Sequence, residues 1–598
     1  MFPLLFSAAT ALAVQASAIA PAGSPPSVIR VNQLGYLPNG PKTAVMCVVA
    51  DARPATSAPA PVSFTVEDTT GRQVLRPRTA RAAGSFGPCA QTYRFDFSAL
   101  RRPGRYRVVA AGARSPVVRV DARAYAGAAD TLLYYMRQQR SGWNPTLKDS
   151  VHKLDALIVN HPTRTGEFIN VSGGWADAAD YLQYVTTSAT ATYVMLKAHR
   201  DYRPAFADKF RADGSPGSNG IGDALDEARH GIEWLLRMFP DDSTMFNQLA
   251  DDRDHAFLDL PNTDSSDYGW GRGKERPVYP CTGKPQGLFN GKNRSSGYAS
   301  TAGKYAAVFA LASKLYAPTD AELARRLRAR AVAAYALGVR YPGPCQTAPG
   351  RAPYFYEEES WADDMELGAA ELYALTGERR YLQDALQYAA KEPVTPWMGA
   401  DTARHYEWYP WINHGHDAVW RVGDAAAKRQ MVTHYRQGLE RVVARANNGF
   451  RVGIPFIWCS NNLMSAFATQ ALLYRRMTGD NRFREYEAAA LDWLFGANPW
   501  GVSMIIGLPW SGVWPKDPHS VMAMQIGIET QLGGMVDGPV YRSIFSNLRG
   551  VHLREADEYA AFNTGFIVYH DDVGDYSTNE PIMDGTGMLT YLLAAMAP

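Results

Sequence analysis

The chain has 598 residues, 46% hydrophobic and 12% aromatic, with 61 Lys and Arg against 59 Asp and Glu. That length exceeds one ordinary core, and that composition builds packed domains rather than a disordered chain. With the charges balanced and no basic run, nucleic acid and anionic membrane surfaces are excluded as partners, and a neutral substrate fits better.

Residues 1–20, "MFPLLFSAATALAVQASAIA", are apolar and small and close on an Ala-x-Ala at Ala18. They read as a secretory signal without its usual positive start, too short and interrupted to span a bilayer. A secreted or periplasmic location is expected. The five cysteines, 47, 89, 281, 345 and 459, show no CxxC spacing. Cys47 and Cys89 could pair after export, and an odd count leaves at least one free thiol.

Residues 26–121 alternate apolar and polar positions in short runs such as "KTAVMCVVA", "QTYRFDFSAL" and "GRYRVVA", separated by Gly and Pro turns. This predicts a β-sandwich of the immunoglobulin-like kind, with no catalytic cluster in it. From residue 123 the period becomes helical. Helices are predicted over 124–138, 181–199, 221–238, 299–316, 319–337, 361–376, 380–391, 424–446, 461–477, 482–495 and 588–597. Junctions such as "ELYALTGERRYL" and "LLYRRMTGDNRF" end one helix at a Thr-Gly break and start the next. Repeated αα-hairpins of this kind close a ring or open a solenoid. The segments 239–298 and 499–584 are too long to be simple connectors and are expected to carry function.

Two acidic sites stand out. In "NVSGGWADAADYLQYV" (170–185), Asp177 and Asp180 lie three apart before an apolar run, which fits a helix cap. If both stood on a first helical turn they would share one face and could hold a water or a metal. In "YHDDVGDYSTNEPIMDGTG" (569–587), Glu580 lies just before the last helix. A ring would bring its two ends together, and glycosidic hydrolysis needs one carboxyl to protonate the leaving oxygen and another to deprotonate water.

These runs, with "IRVNQLGYLPNGPKTAV" (29–45), "DALDEARHGIEWLLRM" (223–238), "WADDMELGAAELYALTG" (361–377) and "FGANPWGVSMIIGLP" (495–509), resemble glycoside hydrolase family 9, the family of inverting cellulases, preceded by its immunoglobulin-like domain. The resemblance implies an all-α (α/α)6 barrel over 123–598 and an endo-β-1,4-glucanase of the cellulase type. It implies Asp180 as general base, Asp177 as the residue that holds the water and keeps Asp180 ionised, and Glu580 as general acid. His519 matches the sugar-binding histidine. Trp408, Trp411 and Tyr576 could stack on sugar faces, although core packing explains buried aromatics equally well.

The chain also departs from that pattern. Ala179 replaces a Gly, Ser520 and Val521 replace a His and a sugar-binding Arg, and Gly585 stands where a substrate-contacting Tyr is usual. A shorter, branched or modified glucan is therefore possible as substrate. An exo-acting β-glucosidase or β-glucosaminidase and a xyloglucan-directed glucanase are the alternatives, with a non-catalytic carbohydrate-binding scaffold as a third. Relatives' zinc ligands fall here on Ser141, Val151, His152 and Ala176, so zinc is not expected. Asp363 and Asp364 offer hard oxygens for a structural calcium, or simply cap a helix. No cofactor is required, and a monomer is expected.

Overall fold

The computed structural model describes residues 27–49, 59–254, 259–350, 356–399 and 409–598. The signal-like segment 1–20 and Trp408 lie outside them.

The N-terminal unit is the expected sandwich. β1 (Ser27–Arg30), β2 (Thr43–Val49) and β5 (Cys89–Asp96) form one antiparallel sheet. β3 (Val62–Asp68), β4 (Gln73–Ala80), β6 (Gly104–Ala110), β7 (Ala113–Arg114) and β8 (Val118–Val120) form the other. Period-two alternation sends Tyr106, Val108 and Ala110 of β6 inward against Phe64 and Phe95, whose rings stack at 4.6 Å. Cys47 and Cys89 pair between β2 and β5. Asn32 fastens this unit to the helices, its amide donating to Tyr125 Oη (2.9 Å) and Asp492 Oδ1 (2.8 Å). Burial pushes the Asp492 carboxyl up to about 7.

The helices are α1 (Ala128–Gln138), α2 (Val185–Tyr202), α3 (Asp223–Met238), α4 (Ala299–Tyr316), α5 (Ala321–Arg340), α6 (Ala362–Thr376), α7 (Arg379–Lys391), α8 (Gly415–Val422), α9 (Ala425–Arg445), α10 (Ser460–Thr478), α11 (Arg484–Leu494), the short α12 (Val521–Gln525) and α13 (Arg542–Phe545), and α14 (Met583–Met596). α2, α4, α6, α10 and α14 are buried on nearly every side, as inner helices of a barrel must be, whereas α5, α7 and α9 bury only a stripe. α14 packs on α2, which closes the ring between its last and first inner helices. The two Thr-Gly breaks are left-handed C-caps, Gly377 (φ 75°) and Gly479 (φ 72°), and Asp320 caps α5 by accepting from Leu323 N–H. The periodicity did not reveal α8. It is eight residues long and carries His416 in a hydrogen bond to Glu366 and Asp417 in an ion pair with Arg421, rather than an apolar stripe.

The long segments do build structure. Residues 239–298 supply β13 (Phe246–Leu249) and β14 (Pro277–Pro280). These join β11 (Leu157–Ile158) and β12 (Gln183–Tyr184) in a four-stranded sheet that holds the chain just ahead of α2; a separate hairpin, β9 (Gly142–Asn144) with β10 (Asp149–Val151), follows α1. Cys281 and Cys345 form a second disulfide across 64 residues, and Cys459 is free and buried. Alkylation should therefore label no cysteine in the native unreduced protein and only Cys459 after denaturation without reductant. Labelling of any other cysteine would contradict these pairings, which mass mapping checks directly.

Candidate active site

Asp177 and Asp180 do not open a helix. The chain from Ala176 to Leu182 is irregular, α2 begins only at Val185, and its N-cap, Tyr184, makes no side-chain cap. The two acids are not neighbours on a helical face; a tight loop orders them. Asp177 N–H donates to Leu182 C=O (2.9 Å), and Leu182 N–H donates to Asp180 Oδ1 (3.0 Å). Arg276 anchors this loop, donating to the Tyr181 carbonyl and to Gln183 Oε1 while bound two-pronged to Asp155.

Glu580 comes to the same loop. Ala179 N–H donates to Glu580 Oε1 (3.0 Å), and Met583 N–H donates to Asp177 C=O (2.9 Å). The two bonds, the first between residues 401 apart in sequence, join the segments at the N-terminal ends of α2 and α14. Close helix packing makes the approach possible: a Cβ on Gly587 of α14 would lie 2.7 Å from Ala191 Cβ of α2. Tyr135 of α1 adds a third tie, its hydroxyl donating to Pro581 C=O (2.8 Å).

The Asp177 carboxylate accepts from Thr187 Oγ1 (2.5 Å) and Tyr356 Oη (2.8 Å). Burial, with Asp584 and Asp180 nearby, outweighs those donors and holds Asp177 well above the usual carboxylate range. Asp584, four residues past Glu580, accepts from Gly585 N–H (2.6 Å) and Asn462, and burial pushes it up to about 6. Asp537 N–H donates to Glu580 C=O (3.0 Å), and its carboxylate takes donors from Trp458 Nε1 (3.1 Å) and Cys459 Sγ (3.2 Å). Burial and the nearby Glu580 hold Asp537 well above its usual range. Sequence reasoning singled out none of Thr187, Tyr356, Asp537 or Asp584. Only Asp584 left a signal, by standing four residues after Glu580 in the first turn of the last helix.

His519 stands beside this group. Its N–H donates to Asn579 C=O (3.0 Å), and Nδ1 donates to Val573 C=O (2.6 Å), which leaves Nε2 as an acceptor. Burial lowers its pKa, which favours the neutral ring. The loop that carries Glu580 is set by Asp575, which accepts from His570 Nδ1 (2.7 Å), Ser577 and Thr578. Burial opposes its charge, but these donors hold Asp575 below the usual range. Tyr576 is half-buried, with Trp458 stacked on its ring at 5.4 Å and its hydroxyl donating to Arg549 C=O (2.7 Å). Trp411 is 0% exposed, packed against Tyr409 in the core, so it offers no face for a sugar to stack on.

The expected calcium pair does not fit that ion. Asp364 and Glu358 each lie 2.7 Å from Lys304 Nζ, and that ammonium already supplies the countercharge a dication would bring. Asp363 accepts from Ser360 Oγ (3.1 Å), and burial pushes it up to about 6. Among the described residues no group of three or more His, Cys, Asp or Glu is placed to hold a metal. At the relatives' zinc position the donor set does not suit zinc either. His152 is engaged by Ser141 Oγ and Asp264 Oδ2, both at 3.2 Å, while Val151 and Ala176 bring no ligand atom.

The departures from the family pattern have local causes. Ser520 caps α12 by accepting from Ala523 N–H (3.3 Å), and Val521 packs with Ala176, Tyr181 and Met522. A Cβ at Gly585 would lie 1.9 Å from Asn462 Oδ1, so no larger residue fits there without a shift.

A helical barrel closed on itself, with Asp177, Asp180 and Glu580 among the carboxylates gathered where its ends meet, defines the class: a glycoside hydrolase. The glycosyl hydrolase family 9 model matches residues 125–593, and a cellulase N-terminal immunoglobulin-like domain matches 24–115. The chain belongs to glycosyl hydrolase family 9. It is 28% identical to endoglucanase C of Cellulomonas fimi over 97% of its length, and spans about half (53%) of that longer protein. It is 25% identical to a xyloglucan-specific endo-beta-1,4-glucanase of Bacteroides ovatus (86% of each chain) and 24% identical to a cellodextrinase of Butyrivibrio fibrisolvens (95% of this chain, 99% of that one). Among solved structures, a metagenome-derived family 9 endoglucanase superposes with TM-score 0.74 at 27% identity, covering 96% of this chain and 99% of that one.

The raised Asp584 carboxyl has a consequence for stability. Its folded pKa, about 6, lies above the unfolded value near 3.9, so its contribution is complete below pH 4 and is lost as pH rises through 6. Melting temperature should fall between pH 4 and 6, and Asp584→Asn should flatten that fall by about 2 kcal/mol across the window. Asp177 titrates in the same sense and leaves a residual slope. An unchanged slope in the variant would contradict the assignment.

Proposed function

We propose that the protein hydrolyses β-1,4-linked glucans by single displacement with inversion, in endo mode. The observation that carries this reading is the bond from Ala179 N–H to Glu580 Oε1, which sets the late glutamate against the Asp177–Asp180 loop. In it Glu580 protonates the leaving glycosidic oxygen, and Asp180 takes a proton from the attacking water. Asp177, fixed by Thr187 and Tyr356, positions that water. Inversion asks for acid and base roughly 6.5–9.5 Å apart, with the water between. His519 Nε2 is left free to accept from a sugar hydroxyl near the cleaved bond, and Tyr576 supplies an aromatic edge beside it. No metal enters the chemistry.

One specific observation keeps the exo reading in view. The positions where relatives carry a His and a sugar-binding Arg serve here as a helix cap and a core contact, Ser520 and Val521, which weakens grip on a long chain. A cellodextrinase is among the similar proteins. Two disulfides support an exported enzyme, and among the described residues no helix is long and apolar enough to cross a membrane. We take it to act as a monomer.

Glu580→Gln and Asp180→Asn should each lower kcat on a β-1,4-glucan about 10³-fold, the usual scale of general acid–base catalysis, with little change in KM. Wild-type activity in either variant would remove that residue from the mechanism. Proton NMR of early hydrolysate should show the α-anomer first, and β-anomer first would exclude inversion. Product sizing should give mixed oligomers, whereas single sugars alone would establish the exo reading.

A further inference from the structure

A cavity of about 520 Å³ opens where the β9–β10 hairpin meets helix α3, and none of the residues assigned to catalysis lines it. Its volume lies within the usual range of small-molecule pockets. Three features give it the chemistry of a sugar site. Trp143, in β9, is 46% exposed and lines the cavity, although large aromatics are normally covered. Polar groups of both kinds surround it, with Arg237 as donor and Asp213 and Glu233 as acceptors. His230 donates through Nε2 to Gly174 C=O (2.8 Å), which leaves Nδ1 as a further acceptor.

The charges decide between a neutral and an acidic ligand. Arg140 is consumed by Glu227, which it binds through two bonds (3.0 and 2.7 Å). Arg229 is shared between Glu233 (3.0 Å) and Asp320 (3.2 Å). Arg237 donates to Ser172 C=O (2.8 Å), and Asp213 accepts from Ser215 N–H (2.9 Å) and Oγ (2.6 Å), so the cavity carries no excess of positive charge to favour an acidic ligand. An aromatic face ringed by balanced donors and acceptors matches a pyranose, with apolar C–H groups on its faces and hydroxyls at its rim.

The cavity is also held rigid. The hairpin is tied to the catalytic loop by Ser141 N–H donating to Gly174 C=O (2.8 Å), and a Cβ on Gly142 would lie 3.3 Å from Gly173 Cα. Ser172 and Gly173 line the cavity a few residues before Asp177, so an occupant touches the segment that leads to the catalytic acids.

We infer that this cavity is an accessory binding site for a neutral glucan segment, with Trp143 as its stacking platform. The inference rests on the glucan reading of the substrate, and its test separates the two. The full chain carrying Glu580→Gln, alone and with Trp143→Ala or Trp143→Tyr, is run by native affinity electrophoresis in gels containing hydroxyethylcellulose. Melting temperature is recorded for each. Trp143→Ala should weaken retention at least threefold, and Trp143→Tyr should restore most of it. Equal retention of the parent and Trp143→Ala would overturn the site, as would a difference confined to gels containing a uronate-bearing glycan. Hydrolysis of the same glucan by the protein with Glu580 intact is assayed separately. Its absence would sink the substrate reading, while the retention comparison still decides the fate of the cavity.

Discussion

Two hydrogen bonds donated by backbone N–H groups carry the arrangement on which everything else depends: Ala179 N–H to the Glu580 side-chain carboxylate, and Met583 N–H to the Asp177 carbonyl. Each joins the start of the helical ring to its end. A ring of hairpins has no intrinsic reason to close in one register, because a helix can slide along its neighbour at modest cost. Small residues in the α2–α14 contact, Ala191 against Gly587, set the approach, and the two bonds fix the register. Once α2 and α14 stand side by side with their N-termini at the same end, the acids before each of them must meet.

Gathering so many carboxylates is electrostatically expensive, and the surroundings show how the cost is met. Asp177, Asp537 and Asp584 are all buried, and burial drives each toward its protonated form. Each proton taken up there relieves like-charge repulsion around Glu580 without a counterion. Elsewhere in the barrel the solution is the opposite. Lys304 neutralises Asp364 and Glu358, and Lys197 with Arg421 neutralises Asp417. The fold thus separates acids neutralised by cations, which hold helices together, from Asp177, Asp537 and Asp584, which are held by neutral donors.

Much of this was legible in the sequence. The sandwich announced itself through alternation, most helices through a period of 3.6 and Thr-Gly caps, and the acids through their place beside turns and apolar runs. What stayed hidden has physical reasons. α8 is short and charged, so no apolar stripe marked it. The Asp-x-x-Asp spacing suggested a helical face because that is the commonest use of such spacing. Here contacts from Arg276 and the β12–β13 pairing hold the segment irregular, an effect no local pattern encodes. Trp411 lies beside Tyr409 in a run that resembles a sugar platform, yet burial depends on which neighbours the ring supplies. Tyr356 reaches Asp177 only because folding brings back a residue 179 positions further along the chain, whereas Thr187, ten positions on, reaches it across the turn into α2. The pairing of Asp363 and Asp364 with Lys304 and Ser360 was equally beyond local reading.

The most direct measurement is a crystal structure of the Glu580→Gln protein with a bound cello-oligosaccharide. The account predicts residue 580 within hydrogen-bonding distance of the scissile oxygen and still bound to Ala179 N–H. It also predicts a water held by Asp177 and Asp180 against the opposite face of the anomeric carbon. A sugar bound with residue 580 and the aspartates on the same side, or out of reach of both, would contradict it.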